Sequence, residues 1–563
     1  MSARRPPWPI LLSLAAACSS SSPAPRAEPA QTSPALAEQA AARREVPALP
    51  QPDYLRLIPA DTPYLFAALS PLPADYAARE YVSRLAAYER VRPAVERLRK
   101  RRPKEMRRLG FLVRLQVALL GEMGGSVSAE KLAAIGLNPS TVGVLYGLGM
   151  NPVVRIRLSD PARFAAVLGR MTRQLQPIER GALGRQRYYA ARDDAVLWIV
   201  AVAGRDLVVA LIPPAQRALW LPLILGARAP ERSLAGDRRL DVLAAEYGLS
   251  SAGVGYADMK AIAASLGAAL PAPCRDELVE VAGAIPRVAV GLTGASAEQM
   301  RARSAVEMRA DVAGALSGLR GEVPGSGAPA GAAAIELSAG VNLPALVSWL
   351  NGSLGRISAR PFRCPSLDWV NQLAREQVAT LRHAASSLGG VRGASFSVRA
   401  IEGLASGSAD IFVLFGSDRP ADVLARLTRT LGVPAPQLSP GDPPVELASA
   451  LGGAFGKVHV ALTPRALGLS LGADSGELAG LLAAGTVDNP PLLDFRLDPQ
   501  SVLPLIRLTS TGGDPRIASI DPDLARDLAD IDLRSLQRYD DLRITVRATP
   551  RGLDVEMAGK YAK

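Results

Sequence analysis

The alternation of apolar and polar positions is clearest between Val153 and Met171. Val154, Ile156 and Leu158 alternate with Arg155 and Arg157, the two-residue period of a strand with one buried face. Ser159 or Asp160 can cap a helix, and Pro161 stands where a missing N–H costs nothing. Phe164, Val167, Leu168 and Met171 then fall on one helical face. The pattern predicts a strand, a polar cap and a helix. It recurs at Leu57–Arg84, at Leu207–Leu225 with Pro213 and Pro214 in place of the cap, and at Val254–Leu266 with Asp258. Further copies are Ala332–Leu350 with Asn342 before Pro344, Ile411–Leu431 with Ser417 or Asp418, Leu467–Leu482 with Asp474, and Leu492–Leu508 with Asp498.

These units fall into a longer period. The first block predicts strands at Val153, Tyr188–Ala191, Val196–Val202, Leu207–Leu211 and Gly253–Tyr256, with helices after Ala162 and around Ala215–Leu225. The second predicts strands at Ile411–Phe415, Val458–Leu462, Leu467–Leu471 and Leu492–Leu497, with helices after Ala421 and at Glu477–Ala483. Both approximate the order β-α-β-β-α-β. The expected fold class is therefore α+β: duplicated split-βαβ (ferredoxin-like) units with mainly antiparallel sheets, covered by helices on one face. A single long sheet through all the units is the alternative. Arg287–Leu292 and Met300–Met308 read as paired strands, followed by a helix at Asp311–Leu319. Leu367–Leu388 and Asp521–Tyr539 read as helices, and Leu542–Ala548 with Leu553–Ala558 as a hairpin around Pro550, Arg551 and Gly552. Gly321–Gly331, GEVPGSGAPAG, is the clearest internal linker.

The N-terminus adds a compartment. Arg4 and Arg5 precede the short apolar run Ile10–Ala17, too short for a permanent span and suited to a cleaved signal at residues 1–17. Leu14–Cys18, LAAAC, resembles the lipobox of bacterial lipoproteins, which implies that Cys18 carries a lipid and that the protein is membrane-anchored. Ser19 after it implies the outer membrane. Residues 18–50, rich in Ser, Pro and Ala, read as a disordered tether. The remaining chain divides into a first α+β domain at 51–270 with a basic helical insertion at 76–120, a middle α+β region at 271–390 with the linker at 321–331, and a second α+β domain at 391–563. No later segment reads as a membrane span; Ala195–Ala227 is cut by Arg205, Asp206, Pro213 and Pro214.

LIPADTPY at Leu57–Tyr64, the stretch Gly136–Phe164, and SLAGDRRLDVLAAEYGLSSAGVGYADM at Ser233–Met259 resemble uncharacterised secreted or lipoprotein-type families of Gram-negative, high-GC bacteria. The likeness covers most of the folded body. Its motifs are structural, so it implies an envelope protein and carries over no catalytic residue or cofactor.

Candidate chemistry is sparse. Beyond Cys18 the cysteines are Cys274 and Cys364, and in an oxidising compartment they are expected to form a disulfide closing a loop of about ninety residues. A Zn site is disfavoured because no second cysteine pair and no nearby histidine exists. His383 and His459 are the only histidines; each reads as an ordinary surface or strand residue, and no GxSxG elbow accompanies them. Gly452–Lys457 is one residue short of a phosphate loop and leads into a strand. Asp521, Asp523, Asp527, Asp530 and Asp532 suit a solvated helix better than calcium.

Charge changes the picture most at Arg84–Arg114, which holds twelve Arg or Lys against Glu89, Glu96 and Glu105 in a chain of net charge +12. Arg97, Arg99, Lys100, Arg101, Arg102, Lys104, Arg107 and Arg108 form a candidate patch for an anionic partner, either lipid headgroups, lipopolysaccharide or an acidic envelope protein. Nucleic acid is excluded by the exported context and the lack of interleaved aromatics. Phe111–Leu120 reads as a core helix. The expectation is a non-catalytic, lipid-anchored envelope protein acting as scaffold or binding module, with no cofactor or metal. The alternatives are a carrier or sensor of a hydrophobic ligand and an envelope hydrolase using carboxylates.

Overall fold

Val196–Ala203 is apolar at every position, and its environment explains why. Leu197, Ile199, Ala201 and Ala203 face one hydrophobic cluster, while Trp198, Val200 and Val202 face another. A strand buried on both sides has no position for a polar side chain. The computed structural model of the protein describes residues 48–82, Pro93 and 111–562, apart from 125–126, 176, 194–195, 269, 328–332, 378–389, 400–409, 448–456, 473–474, 488 and 504–535.

Among the described residues nineteen strands form one sheet. The first half supplies β1 (Tyr64–Ala68), β2 (Gly143–Leu148), β3 (Asn151–Arg157), β4 (Glu179–Leu183) and β5 (Gln186–Asp193). It continues with β6 (Val196–Ala203), β7 (Asp206–Ile212), β8 (Val254–Asp258), β9 (Arg287–Ala295) and β10 (Gln299–Glu307). The second half supplies β11 (Ile335–Ala339), β12 (Val391–Val398), β13 (Ile411–Ser417), β14 (Val445–Glu446) and β15 (Val458–Leu462). After these come β16 (Ala466–Leu471), β17 (Leu493–Leu497), β18 (Tyr539–Thr549) and β19 (Gly552–Tyr561).

Every described pairing is antiparallel. From one edge the first half runs β4-β5-β6-β7-β3-β2-β1-β8-β9-β10. The second half continues β19-β18-β17-β11-β12-β13-β16-β15-β14. The seam between them is β10 with β19, paired from Gln299↔Lys560 to Glu307↔Gly552.

The architecture is α+β with a large antiparallel sheet, and it departs from the expected four-stranded units in one respect. β7 lies between β3 and β6, the split arrangement, and β16 lies likewise between β13 and β15. The fourth strand does not close either unit. β2 and β1 occupy the free edge of β3, so β8 sits beyond them; β12 and β11 displace β17 in the same way.

Helices cover both faces of the first half, not one. Arg217–Ile224 and Arg239–Tyr247 pack on the face carrying Leu65, Tyr146 and Ile199. Phe111–Glu122 and Pro161–Gln174 pack on the opposite face against Val200 and Trp198. The expected core helix Phe111–Leu120 is thus in the core, with Phe111 buried and its N–H donated to Asp193 Oδ2 at 3.1 Å.

The capping grammar holds at four sites. Asp160, Asp258 and Asn342 accept from the N–H of Arg163, Ala261 and Ala345, each worth about 1 kcal/mol. Asp498 accepts from Gln500 N–H at 2.9 Å. Asp418 departs from it: its carboxylate pairs with Arg392, and the Arg419 N–H goes to Ser417 Oγ at 3.0 Å. Asp474 lies outside the described residues. The Pro213–Pro214 junction starts a short 3-10 turn with no side-chain cap.

Residues 271–390 supply strands to both halves and the layer beneath the seam. There Ala272–Gly283, Ala310–Ser317 and Leu343–Ala359 share one cluster containing Cys274 and Cys364. The two cysteines are disulfide-bonded, with Cα atoms 4.5 Å apart across 90 residues. The described front of the expected linker, 321–327, is packed structure: Val323 is buried, and the Glu322 carbonyl lies where a Cβ of Gly393 would stand. Glycine at that strand position is what lets the segment lie on the sheet.

Candidate functional site

Directly paired residues share a face of a sheet, so one face can be followed across the seam. From Tyr256 it passes to Ala289 and Ala305, then to Asp554 and Arg547. On β17, β11 and β12 it continues as Asp494, Ser338 and Ser395, beside Arg496, Glu336 and Ser397. An apolar face therefore becomes polar as it crosses the seam.

The crossing is a series of cross-strand ion pairs. Arg287 Nε donates to Glu307 at 2.8 Å, and the Tyr247 hydroxyl donates to the same oxygen at 2.6 Å. Burial, then that hydrogen bond to a carboxylate, pushes the Tyr247 phenol up to about 12. Arg303 grips Asp554 through two hydrogen bonds of 2.7 and 2.6 Å and reaches the Tyr247 carbonyl at 3.0 Å. Arg547 pairs with Glu556 at 2.7 Å.

Beyond the seam this face opens into a groove of about 610 Å³. Its floor is Glu336, Ser338, Ser395, Ser397, Asp494 and Arg496; Pro324–Ser326 form one wall and Asn489–Pro491 another. Arg543 holds Asp494 with hydrogen bonds of 2.9 and 2.6 Å, and the Thr545 hydroxyl adds a third at 2.8 Å. Burial resists ionisation of Asp494, but these hydrogen bonds outweigh it and hold the carboxyl below its usual range. The Arg543 guanidinium is raised by the same contact. Arg496 Nε donates to Asp541 at 2.8 Å, and Arg399 pairs with Glu477 while lying over the Phe412 ring.

A second cleft, about 710 Å³, lies on the first half. Two stretches with the structural motifs meet there. Thr62 Oγ1 donates to the Gly147 carbonyl at 2.5 Å and accepts the Gly147 N–H at 3.1 Å. The Tyr256 hydroxyl donates to the Thr62 carbonyl at 3.2 Å, and Arg239 donates to that hydroxyl at 3.1 Å with its guanidinium over the ring. A Cβ at Gly147 would strike the Gly149 carbonyl and the Tyr64 ring. Every one of these contacts joins segments of the fold, so the motifs carry architecture at this cleft.

Of the residues singled out from the sequence, only the cysteine pair is brought together. Cys18, the basic patch from Arg97 to Arg108, His383, the run Gly452–Gly456 and the acidic group Asp521–Asp532 lie outside the described residues. Lys457 pairs with Glu446 at 3.5 Å, and His459 sits on β15 with its buried Nδ1 lacking a hydrogen-bond partner among the described residues. Among the described residues no cluster of His, Cys, Asp or Glu could hold a metal ion, and no helix is long and apolar enough to cross a membrane. The groove residues are not singled out from the sequence because they are ordinary Ser, Arg, Asp and Glu on separate strands, marked only by local polar–apolar alternation. No protein-family model, curated protein or solved structure matches the chain.

Proposed function

We propose that the protein is a non-catalytic, lipid-anchored component of the cell envelope whose second half presents a binding groove. The observation that carries this reading is the open, charged groove on β11, β12, β17 and β18, on a face that is covered in the first half. Its acid Asp494 is held ionised, which suits a fixed acceptor and not a proton donor. The disulfide fits an exported chain, and Cys18 in LAAAC fits an anchor in the outer membrane. The basic run from Arg97 to Arg108 would meet anionic lipid or an acidic envelope protein. We also read the halves as copies of one α+β unit, because β1-β2-β3 with β6-β7-β8-β9-β10 and β11-β12-β13 with β15-β16-β17-β18-β19 follow one order.

The test is a photocrosslinking residue at Ser397 in cells, beside a Cys18→Ala variant. The reading expects a discrete crosslinked partner from Ser397, none from a matched probe at the packed Ala67, and loss of membrane retention in the variant. Unchanged retention refutes the anchor. Hydrolysis of an envelope polymer that disappears in Glu336→Gln or Asp541→Asn refutes the non-catalytic assignment.

A further inference from the structure

The first-half cleft also presents side chains that the fold does not use. Its volume of about 710 Å³ is in the range of small-molecule sites. Trp220, half-buried, lines it, and its indole N–H donates to Gln216 Oε1 at 2.8 Å. Asn151 Nδ2 donates to the same oxygen at 3.1 Å and to the Leu148 carbonyl at 3.0 Å. The ring is thus tied to the end of β2 with its polar atom satisfied, and what it offers the cleft is a flat apolar face. The turn Pro59–Thr62, in which the Thr62 N–H donates to the Pro59 carbonyl at 3.2 Å, brings Asp61 to the cleft. The Ala60 N–H donates to the Arg232 carbonyl at 2.9 Å and sets Glu231 and Arg232 at the same rim. Asp61, Glu231 and Arg232 are exposed and, with Ser265, make no side-chain hydrogen bond or ion pair among the described residues. The lining charges balance: Arg239 is paired with Asp237 at 3.2 Å, which leaves Arg228 and Arg232 against Asp61 and Glu231.

We infer that this cleft binds a neutral oligosaccharide, with one pyranose ring lying on Trp220 and its hydroxyls bonded to Asp61, Glu231 and Arg232. The site is separate from the second-half groove and stands whether or not that groove has a partner. Balanced charge gives no preference for an anion or a cation. A carboxylate only accepts and a guanidinium only donates. A sugar hydroxyl does both, so neighbouring hydroxyls on one ring satisfy the two kinds of group together. A pyranose with equatorial hydroxyls also has a face of C–H groups, the complement of an indole plate. An extended peptide would need free backbone partners. At this rim the Ala60 N–H and the Arg232 carbonyl are paired with each other, and Thr62 Oγ1 engages both backbone groups of Gly147. A purely apolar ligand would take water from the charged rim and return no hydrogen bonds.

The test uses the full chain with cellotetraose and chitotetraose, read by calorimetry and by saturation-transfer NMR. A chitosan tetramer, a heparin tetrasaccharide and an acetylated, amidated proline-rich octapeptide serve as cationic, anionic and peptide comparators. Wild type is expected to bind at least one neutral tetramer in the millimolar range or tighter, with saturation strongest on the ring C–H protons. Trp220→Ala is expected to weaken that binding at least tenfold, and Trp220→Phe, which keeps a smaller plate, to weaken it less. The double variant Asp61→Ala with Arg232→Ala is expected to lose severalfold. Because Trp220 packs on the core, its variants count only where their thermal melts coincide with wild type; the exposed Asp61 and Arg232 carry the test in either case. Glu336→Gln, in the other groove, is expected to bind as wild type does. No binding of either neutral tetramer, unchanged affinity in the double variant, loss of binding in Glu336→Gln, or tighter binding of any comparator overturns the inference.

Discussion

On β1, β2 and β8 one face of the sheet carries Leu65, Ala67, Val144, Tyr146, Val254 and Tyr256, all buried. On β11, β12 and β17 the same face carries Glu336, Ser338, Ser395, Ser397, Asp494 and Arg496. The connections differ accordingly. After β7 the chain makes two helices, and the second places Leu240, Leu243, Ala244 and Tyr247 on the apolar strands. After β16 it makes one helix, Ser475–Ala483, which packs on Phe412 and Leu414, and then enters β17 at Leu493. One strand order can thus hold a closed core or an open polar trough. The choice lies in which side chains face up and whether the connection is long enough to roof them. Apolar strands require a cover to remove their surface from water, whereas strands whose polar groups pair with one another do not.

The largest expected effect comes from untying the halves. Cys274→Ser with Cys364→Ser, or reduction, removes a link across 90 residues and should lower stability by about 4 kcal/mol. Hydrogen exchange should then show the β11–β17 region opening before the β1–β8 region; simultaneous opening would erase the proposed contrast. Next, Leu243→Ala, at a fully buried site under the cover, should cost about 3 kcal/mol by chemical denaturation. A loss below about 1 kcal/mol would mean that the helix is not a roof.

Asp494→Asn should cost about 1–2 kcal/mol at neutral pH, with a pH signature. The folded carboxyl lies below its unfolded value, so its stabilisation is present above the ordinary carboxylate range and is lost as pH falls through the folded pKa. Melts of wild type and variant should therefore converge in strong acid; a gap that stays constant with pH would assign the effect to packing. The smallest change is Ser397→Tyr, which sets a ring like that of Tyr146 into the open groove. It should shift stability by no more than about 0.5 kcal/mol, whereas a large loss would reveal a roof over the groove.

Local grammar is readable along the chain. The caps at Asp160, Asp258 and Asn342, the hairpins at Arg287–Glu307 and Tyr539–Tyr561 and the cysteine pair each depend on residues whose spacing or chemistry is self-contained. Strand order is not, because β1 meets β8 and β10 meets β19 across distances that no local period encodes. The repeated units predict helices on one face, yet VLWIVAVA in β6 already carries the signature of burial on both. The groove leaves a fainter trace: IELSA, SFS, LDFRL and RITVR alternate polar with apolar residues, each marking one wet face. That four wet faces lie side by side could come only from the pairing.

The outermost strands set the protein's behaviour toward copies of itself. Among the described residues the sheet has two lateral edges, β4 and β14, and both are poor templates for another chain. β14 is two residues long, and Glu179 on β4 is held by Arg217 in a forked ion pair. Short or charged edges resist strand addition. The longest hydrogen-bonding ladders of the described sheet are thus sealed inside it, and its two described ends give little purchase for strand-by-strand polymerisation.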